Sequence, residues 1–473
     1  MIRGSFLAAA SALLLAGCAN VPKIQPELTS ATPASLGLAN GATAQIADDW
    51  WTEFGDPQLT RLVEMGLAGN PDLAGALARV RTAQAAISAR GAASLPQVAL
   101  DAKSPRQRYP QNYILPPPLG GSTFWVPQIE AGLDWDLDLF GRNKAAVRQA
   151  RDNAEAARLD AAAARLAIST AIGETYVGLA RAERLIAVAD GFVQTRQQAL
   201  ALVQSRLRSQ LASQFDLQQA QTLLAEAEQA RTRAAAQRHL MVHALAALVG
   251  RGQDFYSQVD APALALDHPF AVPDALPADL LGRRPDLLAG QARVHAAEAG
   301  RQVAKADFMP NVSIQALVGT LALGLGNAFK GSSSEYSVGP AIHLPIFEGG
   351  RLKAQYAGAT SAIDEAIASY NGAVVKAVRD AADAATQVQA VDRDLADQAR
   401  IVGGLRETVR LDRVRVDTGL GSRLDTIESG FRLLEAEQAL VDLQAQALTR
   451  RIQLIAALGG GFDPAANSGT PQS

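Results

Sequence analysis

Cysteine is almost absent from this sequence: Cys18 is the only one in 473 residues. A single thiol can build neither an internal disulfide nor a cysteine zinc cluster. Aromatic residues are scarce at 5%, too few for a large conventional core, whereas Ala, Leu, Gln, Arg and Glu fill long tracts. That composition predicts long helices packed closely through small residues. After Cys18 there is no run of 18 or more apolar residues, so any membrane crossing must be made by strands. The net charge of -3 supplies no surplus for a nucleic-acid surface. Nucleophile, base and metal clusters are also missing. His239 and His243 are four apart on a helical pattern, yet they enclose Leu240-Met241-Val242 and no glutamate. Gly319, Gly324 and Gly326 do not follow a phosphate-binding strand-to-helix plan.

The N-terminus reads as a targeting signal. Arg3 supplies its charge, Phe6 to Leu15 its short apolar stretch, and Leu15-Ala16-Gly17-Cys18 ends it with small residues. That tetrapeptide resembles a bacterial lipobox, which implies cleavage after residue 17 and a lipid on Cys18. Ala19 follows where an aspartate would imply inner-membrane retention, so the resemblance implies the outer membrane, with an extended lipidated segment over 18–56.

An internal repeat organises the rest. Asn70-Pro71-Asp72-Leu73, Ala78-Arg79-Val80 and Pro96 recur 214 positions later as Arg284-Pro285-Asp286-Leu287, Ala292-Arg293-Val294 and Pro310. Arg206, Ser213, Asp216 and Glu226-Ala227-Glu228-Gln229-Ala230 recur 209 positions later as Arg415, Ser422, Asp425 and Glu435-Ala436-Glu437-Gln438-Ala439. Two matched halves are expected, 57–250 and 284–461, with a linker at 251–283 and a disordered tail at 462–473.

Each half reads as helix, two strands, long helix, shorter helix. Asp56-Pro57, Asn70-Pro71 and Pro285 mark helix starts. The period then falls to two. Val98, Leu100 and Ala102 alternate with polar neighbours, as do Val312, Ile314, Ala316 and Val318. The partner strands are Gln128 to Leu139, within a hairpin over 97–139, and Tyr336 to Ile346, within a hairpin over 311–347. In the first, Ile129, Ala131, Leu133, Trp135, Leu137 and Leu139 share one face and Glu130, Asp134, Asp136 and Asp138 the other. The spacing D-x-D-x-D opens a calcium loop, but Leu139 and Ala145 stand where that loop needs Gly and Glu. Asp134, Asp136 and Asp138 are therefore expected on the water-filled side of a barrel strand. Proline-free helical patterns follow, from Asn143 to about Gln210 and from Leu352 to about Thr418. Each would reach about 100 Å at 1.5 Å per residue. Shorter partners run roughly over 215–249 and 424–458. Trp50 and Trp51 are expected to pack on these helices rather than mark a membrane interface. Four strands cannot close a barrel, so the chain must associate with copies of itself.

Trp50-Trp51-x-x-Phe54-Gly55-Asp56-Pro57, Asn70-Pro71-Asp72-Leu73, Asp136-Leu137-Asp138-Leu139-Phe140-Gly141-Arg142, Leu344-Pro345-Ile346-Phe347-x-Gly349-Gly350-Arg351 and Ala457-Leu458-Gly459-Gly460-Gly461 stand in order along the chain. Together they resemble the TolC-like outer membrane factors, in particular the NodT-type lipoproteins of efflux systems. The resemblance implies an α+β membrane protein: a homotrimer whose twelve-stranded β-barrel, four strands per chain, continues into a long α-helical barrel. It implies a passive exit duct, without catalysis or cofactor. Its partners would be outer membrane lipid, a periplasmic adaptor and an inner-membrane transporter, most often of the resistance-nodulation-division class. Type I protein secretion and a helical periplasmic scaffold are the alternatives.

The resemblance further places adaptor docking at the tips of the helical hairpins. These are Arg208-Ser209-Gln210-Leu211-Ala212-Ser213 and Arg415-Val416-Asp417-Thr418-Gly419-Leu420-Gly421-Ser422. Arg208, Leu211, Ser213, Gly419, Leu420 and Ser422 are the docking candidates; Gln210 stands where the second tip has Gly419. Some relatives line the constriction with an aspartate at the position of Gly421. Here Asp417 is the candidate, with Arg415 and Arg423 as counter-charges for a ring of carboxylates. An ordinary solvated Asp417–Arg415 turn pair is the alternative.

Overall fold

The computed structural model describes residues 21–32, 35, 46–112, 114, 116–267 and 280–463. The targeting signal, Cys18, residues 268–279 of the expected linker and nearly all of the expected tail lie outside them. The helices are α1 (Pro57–Gly69), α2 (Pro71–Ala92), α3 (Arg142–Arg208), α4 (Gln214–Leu248), the single turn α5 (Leu280–Arg283), α6 (Pro285–Ala306), α7 (Arg351–Asp417) and α8 (Arg423–Ala457). The strands are β1 (Gln97–Lys103), β2 (Arg106–Arg108), β3 (Thr123–Trp125), β4 (Gln128–Asp136), β5 (Asn311–Leu321) and β6 (Ser334–His343). Helices α3 and α7 are both 67 residues long, α4 and α8 both 35, α2 and α6 both 22. The chain divides into two compact units, each assembled from both halves of the sequence.

One unit, residues 1–30, 79–157 and 290–370, holds the strands. Its sheet is antiparallel in the order β1-β4-β5-β6. The register gathers Val98 and Leu100, Ile129, Leu133 and Trp135, Ile314 and Val318, Tyr336, Val338 and Ile342 on a single face. Much of that face is bare: Val98 is 72% exposed, Tyr336 85% and Val338 74%. Water would penalise it by roughly 25 cal/mol per Å². The opposite face carries Gln97, Asp101, Glu130, Asp134, Gln315 and Glu335. Strands β1 and β6 are edges, with no further strand beside them among the described residues.

Two strand expectations require correction. Strand β4 ends at Asp136 rather than Leu139, and Asp138 is not on the strand face with Asp134 and Asp136. It takes the left-handed conformation at φ 48°. Its carboxylate accepts hydrogen bonds from the Asn143 and Lys144 amides, both at 2.8 Å. Asp138 thus caps α3, whose first amides have no helical partner. Strand β6 ends at His343, two residues before Pro345; a residue preceding proline is restricted, and proline brings no N–H to a ladder. The connection after β1, expected as a plain loop, contains a short ribbon of β2 paired with β3. In the same unit the N-terminal segment is tied down. Arg301 donates to the Ile24 carbonyl at 2.6 Å, and Asp364 accepts from the Glu27 and Leu28 amides at 2.9 Å.

The other unit, residues 31–78, 158–289 and 371–473, holds the main apolar core. Trp50, fully buried, packs with Trp51, Phe54, Leu62, Ile172 and Ile452, the packing role expected for this tryptophan pair. A Cβ on Gly173 would stand 2.8 Å from the Trp50 indole, so α3 needs glycine there to admit the ring. Asp56 caps α1 by accepting from the Gln58 and Leu59 amides, with Pro57 at the first helical position. The buried Tyr176 hydroxyl donates to the same carboxylate at 2.7 Å. Arg231–Asp190 joins α3 to α4, Arg406–Glu437 joins α7 to α8, and Arg181–Asp442 crosses from α3 to α8. Such half-exposed pairs contribute only about 0–1 kcal/mol each; they fix the azimuth of helices that burial holds together.

Candidate functional site

The two hairpin tips fold alike despite their different residues. At the end of α3 the Leu211 amide donates to the Arg206 carbonyl at 2.8 Å and the Gln210 amide to Leu207 at 2.9 Å. At the end of α7 the Leu420 amide donates to Arg415 at 2.7 Å and the Gly419 amide to Val416 at 3.0 Å. This nested pair of bonds closes a helix when the next residue is left-handed. Gly419 takes that conformation at φ 75° and Gln210 at φ 60°. The missing glycine in the first tip therefore does not alter the turn.

Ser213 and Ser422 then start the return helices. The Ser213 hydroxyl accepts from the Asp216 amide while Asp216 accepts from the Ser213 amide at 2.7 Å; Ser422 and Asp425 repeat the arrangement. The Ser213 amide and hydroxyl hold the Asp216 carboxyl below its ordinary range. Between cap and turn, Leu211 and Leu420 project into solvent, 69% and 76% exposed. Both leucines sit on five-residue turns, 209–213 and 418–422. Arg208 is exposed beside the first of them.

Asp417 lines a groove of about 680 Å³ between α3 and the α7–α8 hairpin, together with Arg413, Arg423, Leu202, Val409 and Ile427. The structure thus brings Asp417 and Arg423 to one groove. It does not bring Arg415 to Asp417 as a paired base: Arg415 approaches Asp412 at 3.9 Å instead, since residues three apart on a helix share a face and residues two apart do not. Arg413, which sequence reasoning passed over, takes its place in the groove. A Cβ at Gly421 would stand 3.0 Å from Arg415 Cβ, so this turn has little room for a larger side chain there.

In the strand-bearing unit, Gln315 donates to Asp134 at 3.0 Å across the β4–β5 pair, and the Asp136 carboxylate accepts from the Asp138 amide at 2.8 Å. Pairing also aligns Asp101, Glu130 and Glu335 in one row, with Gly319 between the last two. The individual strands advertise these acids as polar-face residues, but only the register shows that they form a row. His243 stacks on Tyr256 with ring centroids 4.3 Å apart. Among the described residues there is no cluster able to hold a metal and no helix long and apolar enough to cross a membrane.

The profile of the outer membrane efflux protein family matches residues 62–251 and 276–460. The fusaric acid resistance protein FusA of Burkholderia cepacia is 36% identical over 365 residues, covering 75% of this chain and 68% of that one. The multidrug resistance outer membrane protein MdtP of Shigella flexneri is 30% identical over 467 residues, covering 96% of each. The crystal structure of the outer membrane protein VceC from Vibrio cholerae superposes with a TM-score of 0.80 at 31% identity, covering 88% of this chain and 100% of that one. With its strand pairs and long helical hairpins, the chain belongs to the outer membrane efflux protein family and is an efflux channel of the outer membrane.

Proposed function

We propose that three copies of this chain close one duct, with a twelve-stranded barrel in the outer membrane and a tunnel of helices below it. One observation carries the reading: a four-stranded sheet with two open edges and a bare apolar face. Lipid suits that face, and only neighbouring copies satisfy both edges without leaving backbone groups unpaired in hydrocarbon. Three chains of four strands give twelve, within the range of known membrane barrels. Asp134 and Asp136 then face the water-filled lumen with Asp101, Glu130 and Glu335. The equal lengths of the paired helices support a duplicated plan, with halves at 57–250 and 284–461.

In this reading Cys18 carries the lipid anchor. The tips around Leu211 and Leu420, flanked by Arg208, Ser213, Gly419 and Ser422, dock a periplasmic adaptor coupled to an inner-membrane transporter of the resistance-nodulation-division class. Asp417, Arg423 and Arg413 lie where the tunnel narrows. The duct catalyses nothing; the transporter chooses the cargo. The names of the relatives FusA and MdtP, a fusaric acid and a multidrug resistance protein, support small molecules over secreted proteins. The decisive experiment is disulfide crosslinking of cysteines placed on β1 and β6 in membranes, combined with single-channel recording. A covalent trimer that conducts is the expected result; a ladder ending at dimer or monomer overturns the reading.

A further inference from the structure

The charge of the chain is distributed unevenly, and the connections at the end of the sheet away from the helices carry cations only. Residues 103–127 run from the last residue of β1 to β4, and residues 322–333 join β5 to β6. Together they contain Lys103, Arg106, Arg108 and Lys330 and no aspartate or glutamate, in a chain whose net charge is -3. All four cations are exposed. None pairs with a carboxylate of a described residue, whereas arginines elsewhere commonly do.

The segments that carry them are held together. Ribbon pairing sets Arg106 opposite Trp125 and Arg108 opposite Thr123, so the two guanidinium groups and the indole stand on one side. The second connection docks on the first: the Gly324 amide donates to the Trp125 carbonyl at 2.7 Å and the Ala322 amide to Pro127 at 3.1 Å. Exposed apolar side chains are interleaved with the charges. Phe329, 86% exposed, adjoins Lys330, and Ile114 and Trp125 are also bare.

From this we infer that the β2–β3 ribbon and the 322–333 loop form a binding surface for the phosphates of outer-leaflet lipid, with lipid A as the chemical type. The inference rests on the duct reading, which puts this end of the sheet at the outer surface of the membrane, level with the headgroups. Unpaired guanidinium and ammonium groups supply charge complementarity to phosphate. Trp125, Phe329 and Ile114 supply what a free anion would not use, contacts for the acyl and sugar parts beside it. Three copies in the trimer make a positive collar continuous with the apolar face of the barrel.

The test uses the full-length trimer in nanodiscs of neutral phosphatidylcholine, titrated with bis-phosphorylated lipid A and with its dephosphorylated counterpart. Wild type should prefer the phosphorylated lipid, more weakly as salt rises. Arg106→Gln/Arg108→Gln/Lys330→Gln should lose about 10- to 100-fold in affinity, as expected for three cations near an anionic surface. Equal binding of both lipids, or a triple variant within about twofold of wild type, overturns the inference. Millimolar inorganic phosphate is the control for a simple anion site: failure to compete supports lipid as the ligand, and complete displacement overturns it. Trimer content and conductance of the same samples report separately on the duct reading, because neither depends on these exposed side chains.

Discussion

The Arg196 guanidinium lies 3.5 Å from the centre of the Phe431 ring, and that ring stacks on Phe192 with the planes 15° apart. Arg196 and Phe192 belong to α3 and Phe431 to α8, so the contact crosses between the two helical hairpins. Their sequence neighbours Thr195 and Gly430 line the groove that holds Asp417. The clasp therefore borders that groove. Burial lowers the Arg196 pKa, while Glu226 and Glu435 act against that shift.

Replacing Arg196 with Ala should weaken this junction by about 1 kcal/mol. Amide exchange in α8 around residue 431 should then quicken about fivefold. In a double-mutant cycle with Phe431→Leu, the second substitution should add little to the first, as for two groups sharing one interaction. Fully additive effects would show that the two side chains act separately.

Gln210 and Gly419 make opposite predictions from the same backbone geometry. A side chain in the left-handed region costs roughly 1 kcal/mol, so Gln210→Gly should tighten the first tip and Gly419→Ala should loosen the second. Limited trypsin cleavage after Arg208 and Arg415 measures the two directly: slower at the first tip in Q210G, faster at the second in G419A.

Asp138 supports a helix start at a left-handed residue, two demands that few side chains meet together. Asp138→Ala should lose about 1–2 kcal/mol through the two unpaired amides of α3 and lower the yield of trimer from outer membranes. Asp138→Asn keeps an acceptor and tolerates the backbone conformation, so its yield should stay near wild type. Equal yields from both variants would remove the cap from the assembly pathway.

Tyr176 carries a pH dependence whose sign is fixed. Burial first, then the hydrogen bond to Asp56, raises its pKa well above the ordinary phenol value. The folded state thus keeps a proton that the unfolded state releases above about pH 10. Stability is unaffected below that pH and declines as pH rises beyond it. Tyr176→Phe should cost about 2 kcal/mol at neutral pH, since the Asp56 carboxylate loses a donor. It should also flatten the alkaline limb of the melting profile.

The carboxylates on the polar face predict permeation. In a potassium chloride gradient the reversal potential should favour potassium, and Glu130→Gln/Asp134→Asn should shift it toward zero without abolishing conductance. An unchanged potential would place the selective region outside the strands.

Much of this fold was legible in the residues because its signals are local. Proline-free tracts placed the long helices within about two residues of their ends, Asp56 and Asn70 marked the starts of α1 and α2, and period-two alternation marked the strands. What escaped depended on context. The pattern D-x-D-x-D looks uniform, yet Asp138 leaves the strand because the amides of α3 lie within its reach. The row of Asp101, Glu130 and Glu335 depends on register, which pairs residues far apart in sequence. Arg415 and Asp417 are two apart and looked like partners, but helix geometry gives Arg415 to Asp412.

The unpaired edges of β1 and β6 also have a genetic consequence. In the proposed trimer every chain supplies one half of two seams, so a copy with a damaged edge spoils whatever ring it enters. In a cell making equal amounts of intact and edge-damaged chains, about one eighth of randomly mixed trimers would be sound. Such alleles should suppress efflux even beside a working gene, whereas alleles that prevent folding altogether should be recessive.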